Sequence, residues 1–453
     1  MGRVIDELAA HAAATRWEAL PQAVQVQARR VLMDTIGVML AGSLQPEVGQ
    51  LRQALAPRDA ADGEATLVCA SPRRTDARTA ALLNGIAGRS VELCEGHRFV
   101  SCQAGVQVLP AVLAIAERRR APGTELLAAL VVGYDIGVRL GAGLKPRPRA
   151  HQNGQTAMLG AIAAAARLRG LDAAGIGRAM RIGAPLVLVP SYSHTVAGAT
   201  ALNVAGGMSG FNGALVADLV PAGFAGREDA VEEALSELVG DGFDPEPVTE
   251  ALGERWEITR NHFRLRACCN PIYSALDALE LALAELRPEP SQVARIEVET
   301  YAFASVMNDP APSNHFAARY SLPHAAAALV LLGHAGYGAF TADRVADPAF
   351  AALRGKVSVR EDAAFSAEVP RLKPARVTLT LTDGRRSTHV VHSARGDFQA
   401  PHPDSALRTK FRELAGLVLA GDGAARLEAA IDRAEQWRDV GDMHAVIRDA
   451  THA

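Results

Sequence analysis

The chain has 453 residues, 49% of them hydrophobic and 21% charged, the balance of an ordinary globular protein of about two domains rather than a disordered or fibrous one. Its 47 basic and 50 acidic side chains leave a formal net charge of −3 with no long run of either sign, which excludes the electrostatic footprint of nucleic-acid or anionic-membrane binding. Five cysteines, at 69, 94, 102, 268 and 269, are too few and too unevenly spaced for a disulfide framework or a zinc site, and they point to a reducing compartment.

Asp6 and Glu7 stand where a signal peptide would have its apolar core, and no apolar run is read as reaching membrane-spanning length, so a cytoplasmic protein is expected. After a short first helix, Leu20-Pro21 opens a second in which Val24, Ala28, Val31, Leu32, Thr35 and Val38 recur at helical spacing until Ala41-Gly42. Residues 76 to 220 read as helix after helix, built on Ala, Gly, Leu and Val and broken at Gly96, Pro110, Pro122, Pro146, Gly170 and Pro190. Within this run the polar stretch from Arg149 to Thr156 feeds a small-residue helix, Ala157 to Ala166. The helix start offers free N–H groups to an anion, and His151 just ahead of it has a ring suited to act as acid, base or donor to a carboxylate; the same residues also read as a capping loop on a packed helix.

The character changes in the second half. Gly240 to Pro247 reads as a loop, Val293 to Thr300 alternates like a strand with one wet face, and Ala375 to Leu381 and Ser387 to Val391 flank the hairpin turn Asp383-Gly384. Pro323 to Leu332 is helical, and 403–420, 424–438 and 440–449 return to amphipathic helix. The expected fold is mainly α with a smaller α+β domain: residues 1–255 and 396–453 form a helical domain, and 256–395 an α+β domain.

No phosphate-binding loop, dinucleotide fingerprint, HExxH or GxSxG elbow is present, so neither a metal nor an organic cofactor is expected. What remains is a set of polar segments abutting apolar helices. Glu92 and Glu95 are either two acids poised for proton transfer, should burial raise one pKa, or a solvated helix end. Arg264 and Arg266 offer paired donors for a carboxylate or lie on a surface strand, and the adjacent Cys268 and Cys269 read as small core residues.

Taken in order, Asn84-Gly85-Ile86-Ala87, Glu92 to His97, Val108-Leu109-Pro110-Ala111, Gly133-Tyr134-Asp135, the His151 loop, Gly223-Phe224-Ala225-Gly226, Cys268-Cys269 and Tyr320-Ser321-Leu322-Pro323 resemble the MmgE/PrpD family. The resemblance runs from Leu32 through Val38 to Lys410-Phe411, nearly the whole chain. The family includes 2-methylcitrate dehydratase, cis-aconitate decarboxylase and iminodisuccinate epimerase. The resemblance implies a large all-helical domain built from both termini, a smaller α+β lid domain, a homodimer, and a cofactor-free active site between the domains that takes a small carboxylate.

The catalytic positions depart from the family pattern. The usual Asp-Phe-Asp-Asp-Thr-His reads Glu92-Leu93-Cys94-Glu95-Gly96-His97, and the usual His-Pro-Gly reads Gln103-Ala104-Gly105. His151 is kept, but its Thr-Gly-Thr companion is Asn153-Gly154-Gln155; the substrate-binding lysine falls on or near Leu202; Arg264 stands for a lysine and His324 for a tyrosine. Two readings follow. In one, the chain is a lyase or isomerase in which Glu92, His151 and His324 move protons beside a carboxylate held by Arg264 or Arg266, with Glu95, His97, Gln103, Asn153 and Gln155 also binding the substrate. In the other, it is a degenerate scaffold that binds without turnover. The departures argue against ordinary 2-methylcitrate dehydration in either case.

Overall fold

Apolar residues at helical spacing between Gly and Pro breaks produce a chain dominated by helices. The longer ones are α1 (Gly2–Ala14), α2 (Gln22–Gly42), α3 (Pro46–Leu55), α4 (Ala77–Arg89), α5 (Ala104–Arg119), α6 (Gly123–Gly143), α7 (Thr156–Leu168), α8 (Ala173–Gly183), α9 (Ala201–Leu219), α10 (Tyr273–Leu286), α11 (Leu322–Leu332), α12 (Asp404–Gly416), α13 (Gly423–Ile431) and α14 (Gly441–Ala450). The structure, a computed structural model, describes residues 2–451; Met1, His452 and Ala453, at the ends of the expected helical domain, lie outside the described residues.

The chain forms two compact units. One comprises the chain up to Tyr192, Ala201–His262 and everything from Asp404; the other comprises Ser193–Thr200 and Phe263–Pro403. Ser193–Thr200, placed among the helices of the first domain by sequence, therefore belongs to the second unit, where Asn314 Nδ2 donates to Gly198 O at 3.1 Å.

The first unit is held by helices whose backbones touch. A Cβ on Gly160 of α7 would lie 2.1 Å from Gly133 O of α6, and one on Gly207 of α9 would lie 2.6 Å from Leu82 O of α4. Every residue of α7 is buried, as the run of apolar side chains between Thr156 and Arg167 requires. Gln107 of α5 accepts from Gly154 N ahead of α7 and from Ser209 Oγ of α9, while further along Gly213 of α9 faces Ala111 of α5 and Ala161 of α7. The three helices therefore run side by side in one direction with their N-termini at one end. Helix α4 runs the other way: α9 meets Arg89 at Gly206, Ile86 at Gly207 and Ala81 at Gly210, which brings the C-terminus of α4 to those N-termini.

The tail helices return to this unit. Phe411 of α12 packs on Gly37 of α2, and Arg30 donates to Asp404 at 3.0 Å. Helix α6 is long and apolar enough to cross a membrane, against the reading that no such run exists, and 89% of its apolar window is buried inside the fold. The buried Asp135–Arg139 pair on it suits a protein core.

Two findings correct the expected all-helical character. The first unit also contains short strands β1 (Ala65–Thr66), β2 (Arg74–Thr75), β3 (Gly96–His97), β4 (Leu144–Pro146), β5 (Gly240–Phe243) and β6 (Asn261–His262), paired antiparallel as β1 with β2, β3 with β6 and β4 with β5. Part of the 240–247 segment read as loop is thus strand β5. Strands of two to four residues have too little alternation to be read from sequence.

The second unit carries the sheet β10-β9-β7-β8 formed by β7 (Val293–Thr300), β8 (Val357–Glu361), β9 (Ala375–Leu381) and β10 (Arg386–Val391). β7 pairs antiparallel with β9 and parallel with β8, and Gly384, at φ +88°, makes the β9–β10 turn. β8 was not expected; it is mostly exposed, so its alternation lacks a buried face to reveal it. Helix α10 packs across β9 and β10.

Because α6 and α7 meet backbone to backbone, Gly160→Ala must push them apart. We expect a loss of about 1–3 kcal/mol in urea unfolding, the scale of overpacking a tight core; an unchanged midpoint would show that the crossing yields freely.

Candidate active site

The end of the first unit where α5, α7 and α9 begin gathers most of the candidate residues. The chain leaves α4 through Arg89 and turns at Glu92, which adopts φ 52°, a left-handed conformation that costs a non-glycine residue strain. The Arg89 guanidinium donates to the Glu92 carboxylate, and both side chains are buried. Glu92 and Glu95 are therefore not a solvated helix end.

The next residues are held from far away in sequence. Lys410 Nζ of α12 donates to Leu93 O at 2.7 Å and to Asp34 Oδ1 of α2 at 2.6 Å, and Asp34 Oδ2 accepts from Glu95 N at 3.1 Å. Glu95 Oε1 accepts from Gly105 N in the first turn of α5 at 2.7 Å, and Oε2 accepts from Tyr134 Oη at 2.7 Å and Asn261 Nδ2 at 3.3 Å. Burial outweighs these donors and pushes the Glu95 carboxyl up to about 7. Burial, then the charges of Glu95 and Glu257, drives the Cys102 thiol upward, so it stays protonated.

Pairing of β3 with β6 sets His97 opposite Asn261, and His97 Nε2 lies 3.2 Å from Glu257 Oε2. Burial alone would raise Glu257, but the hydrogen bond and charge of His97, with Arg255 and Arg260, bring it down to about 2. The ring of His262 covers Gly96 closely enough that a Cβ there would lie 2.9 Å from it.

The His151 loop is stapled to the segment before Tyr192. His151 N donates to Pro190 O at 2.7 Å, Leu188 N to Gly154 O at 2.9 Å and Tyr192 N to Arg149 O at 3.1 Å. Gly154, at φ +83°, lies so close to Leu188 that a side chain there would both clash and strain the backbone. Asn153 N donates to His151 Nδ1 at 3.2 Å, and the Tyr192 ring lies 4.4 Å from the imidazole. A ring nitrogen that accepts an N–H is unprotonated, so neutral His151 carries its proton on Nε2. This revises its expected use as a base: with Nδ1 taken, the ring is arranged to donate.

Around it, buried amides have polar atoms without hydrogen-bond partners: Gln103 Oε1 at the head of α5, Gln152 Oε1, both polar atoms of Asn153, both of Gln155 at the head of α7, and both of Asn203 in the first turn of α9. Each such atom costs about 1–3 kcal/mol when sealed from any partner, so a group of them marks a place built to face something other than protein.

The second-unit candidates are differently placed. Arg264 is buried. Arg266 donates to Asp277 at 2.6 Å and Glu280 at 2.8 Å, with its guanidinium 5.4 Å from the Tyr273 ring centroid. It is engaged by two carboxylates within its own unit, which corrects its assignment as a substrate clamp. His324 Nε2 lies 2.9 Å from Ala339 O and Nδ1 lies 3.2 Å from Arg354 Nη1, while Phe340 and Phe350 pack on the ring at 5.3 and 5.0 Å. Burial, aided by the charges of Arg354 and Arg319, lowers its pKa to about 4. Both ring nitrogens are occupied, so the expected proton transfer by His324 gives way to a structural role. Cys268 and Cys269 are buried, as small core residues are.

The MmgE/PrpD N-terminal domain matches residues 6–244 and the MmgE/PrpD C-terminal domain matches residues 267–436. The chain belongs to the MmgE/PrpD family. It is 25% identical to the cis-aconitate decarboxylase-like protein oryM of Aspergillus oryzae over 98% of this chain and 97% of that protein, and 23% identical to a cis-aconitate decarboxylase of Aspergillus terreus over 75% and 74%. In this MmgE/PrpD protein Leu202, where the family resemblance leads one to look for a lysine, is 2% exposed and precedes Asn203 in α9. Sequence reasoning missed Lys410, Asp34, Arg89, Tyr134 and Asn203 as parts of this region. Only the three-residue spacing of Arg89 and Glu92 was a local signal.

Two outcomes follow from the buried charges. Lys410→Met strands Asp34 and frees the 93–95 backbone, and should cost about 3–5 kcal/mol in denaturant unfolding; a loss below about 1 kcal/mol would show that the pair is solvated. Glu95 has a folded pKa of about 7 against an ordinary 4.5, so it takes up its proton more readily in the folded protein. Its contribution is fully present below the unfolded value and is lost as pH rises through about 7, a slope worth on the order of 3 kcal/mol. Glu95→Gln should flatten that slope relative to the parent in unfolding measured across this range, whereas an identical slope would place the raised carboxyl elsewhere.

Proposed function

We propose that this MmgE/PrpD protein is a lyase or isomerase of the dehydratase, decarboxylase or epimerase type that moves a proton at a carbon next to the carboxylate of a small substrate, using side chains alone. The observation that carries the reading is that two proton-bearing segments are tied to one helix head. Glu95 caps Gly105 N of α5, and Gln107, two residues on, takes Gly154 N from the His151 loop. A titrating carboxyl and an imidazole thus converge on the N-termini of α5 and α7, whose N–H groups favour negative charge. The family match and the relatives named as cis-aconitate decarboxylases support the class.

In this reading the Glu92 carboxylate, held by Arg89, takes the proton from the carbon beside the substrate carboxylate. The charge that develops on the carboxylate oxygens is met by His151 Nε2–H and by the helix N-termini. The carbanion then expels a β-substituent, or is reprotonated on either face. In decarboxylation the charge arises by loss of carbon dioxide and is quenched by a proton, which the buried Glu95 carboxyl, pushed up to about 7, is suited to carry. Glu95, Gln103, Asn153 and Gln155 line or support the binding region, and His97, fixed by Glu257, holds the loop. The proposal includes a homodimer, as the family resemblance implies.

The test is hydrogen exchange. Candidate carboxylates incubated with the protein in deuterated water should lose the signal of the hydrogen beside the carboxylate in proton NMR. His151→Leu should slow that loss by roughly 10²-fold or more, the scale of removing one donor to the developing charge, with little change in stability. Buried Leu202 favours the second reading, a scaffold without turnover; binding without exchange in the parent protein would establish it.

A further inference from the structure

We infer that the substrate presents a neutral hydrogen-bonding group, a carboxamide or a hydroxyl, to the amides at the N-termini of α5, α7 and α9, and carries only one carboxylate in this region. The inference rests on the functional reading above and specifies its substrate class.

Five side chains supply it. Gln103, Gln152, Asn153, Gln155 and Asn203 are all buried, and each leaves at least one polar atom without a partner. Three separate elements contribute them, and the Gln107 contacts to Gly154 and Ser209 hold those elements together, so this is one region and not five scattered sites. In Asn153, Gln155 and Asn203 both the amide nitrogen and the amide oxygen are unpartnered, so donors and acceptors are offered in equal measure. A carboxylate accepts only and would leave the amide oxygens unmatched and facing negative charge. A carboxamide or hydroxyl both donates and accepts, and satisfies them.

Charge points the same way. Two buried cations of this unit already have anions: Arg89 is paired with Glu92 and Lys410 with Asp34. Leu202 stands beside Asn203 with an apolar side chain. Three helix N-termini suit one carboxylate, but a second would enter a desolvated space with no counter-charge among these residues, which is strongly unfavourable. A site built to pair a neutral group rejects the charged analogue, because its own buried amides then lose their match.

The test uses three probes of one skeleton on the full chain: succinate, succinamate and succinamide, compared by titration calorimetry at neutral pH. Succinamate should bind at least about tenfold more tightly than succinate, a difference of about 1.4 kcal/mol, and more tightly than succinamide. Asn153→Leu, on the loop, and Asn203→Leu, on α9, should each erode that preference while leaving the melting temperature unchanged or raised, since each removes two unpartnered atoms; two variants on separate elements guard against one failing to fold. Succinate binding as tightly as succinamate, a preference that survives both substitutions, or no binding of any probe would overturn the inference. Failure of the functional reading is distinct: succinamate would bind as expected, yet its hydrogens would not exchange in deuterated water.

Discussion

Backbone-to-backbone contact between helices is the constraint on which the first unit depends. Where Gly160 meets Gly133 O and Gly85 meets the Cα of Gly207, no side chain separates the helices, so their axes approach as closely as the chain permits. Close approach fixes register as well as distance, because displacing one helix along the other would drive a Cβ into a carbonyl. The starts of α5, α7 and α9 are thereby held at one end of the unit, and the polar residues they carry gather there.

A second device fixes the loop between α4 and α5. Leu93 and Glu95 have no regular structure to hold them, yet they are anchored by Asp34 and by Lys410, which lies more than three hundred residues further along. A buried ion pair adds little net stability when both members are present, but losing one leaves a charge stranded. The arrangement thus makes the loop conformation depend on α12 being docked, which accounts for a chain whose tail returns to its first unit. It also surrounds Glu95 with enough desolvation to bring its titration into the neutral range, where a carboxyl is useful to proton chemistry.

Several residues of catalytic type turn out to be consumed by packing. His324 is clamped at both nitrogens between aromatic rings, and Arg266 is shared by two carboxylates. At the heads of α5, α7 and α9 the side chains left without protein partners include five neutral amides, a residue type that attracts little attention in a search for acids, bases and cations. In the reading proposed above, a site of this composition selects by matching donors to acceptors more than by attracting charge.

Local regularities made much of the fold legible. Helical periodicity set α2, α11 and the tail helices, alternation set β7, β9 and β10, and Asp383-Gly384 set their hairpin. The ordered series of short motifs carried the family and pointed to Glu92, Glu95 and His151. Periodicity reports only which neighbours i+2 to i+4 share a face, so it is silent on pairings between distant segments. The two-residue ribbon joining Gly96-His97 to Asn261-His262, the reach of Lys410 to Asp34, and the end at which three helix N-termini meet were decided by tertiary packing. So was the availability of each polar side chain: His324 and Asn153 are equally polar on paper, and only the surrounding structure gives one of them every partner it can use and the other none.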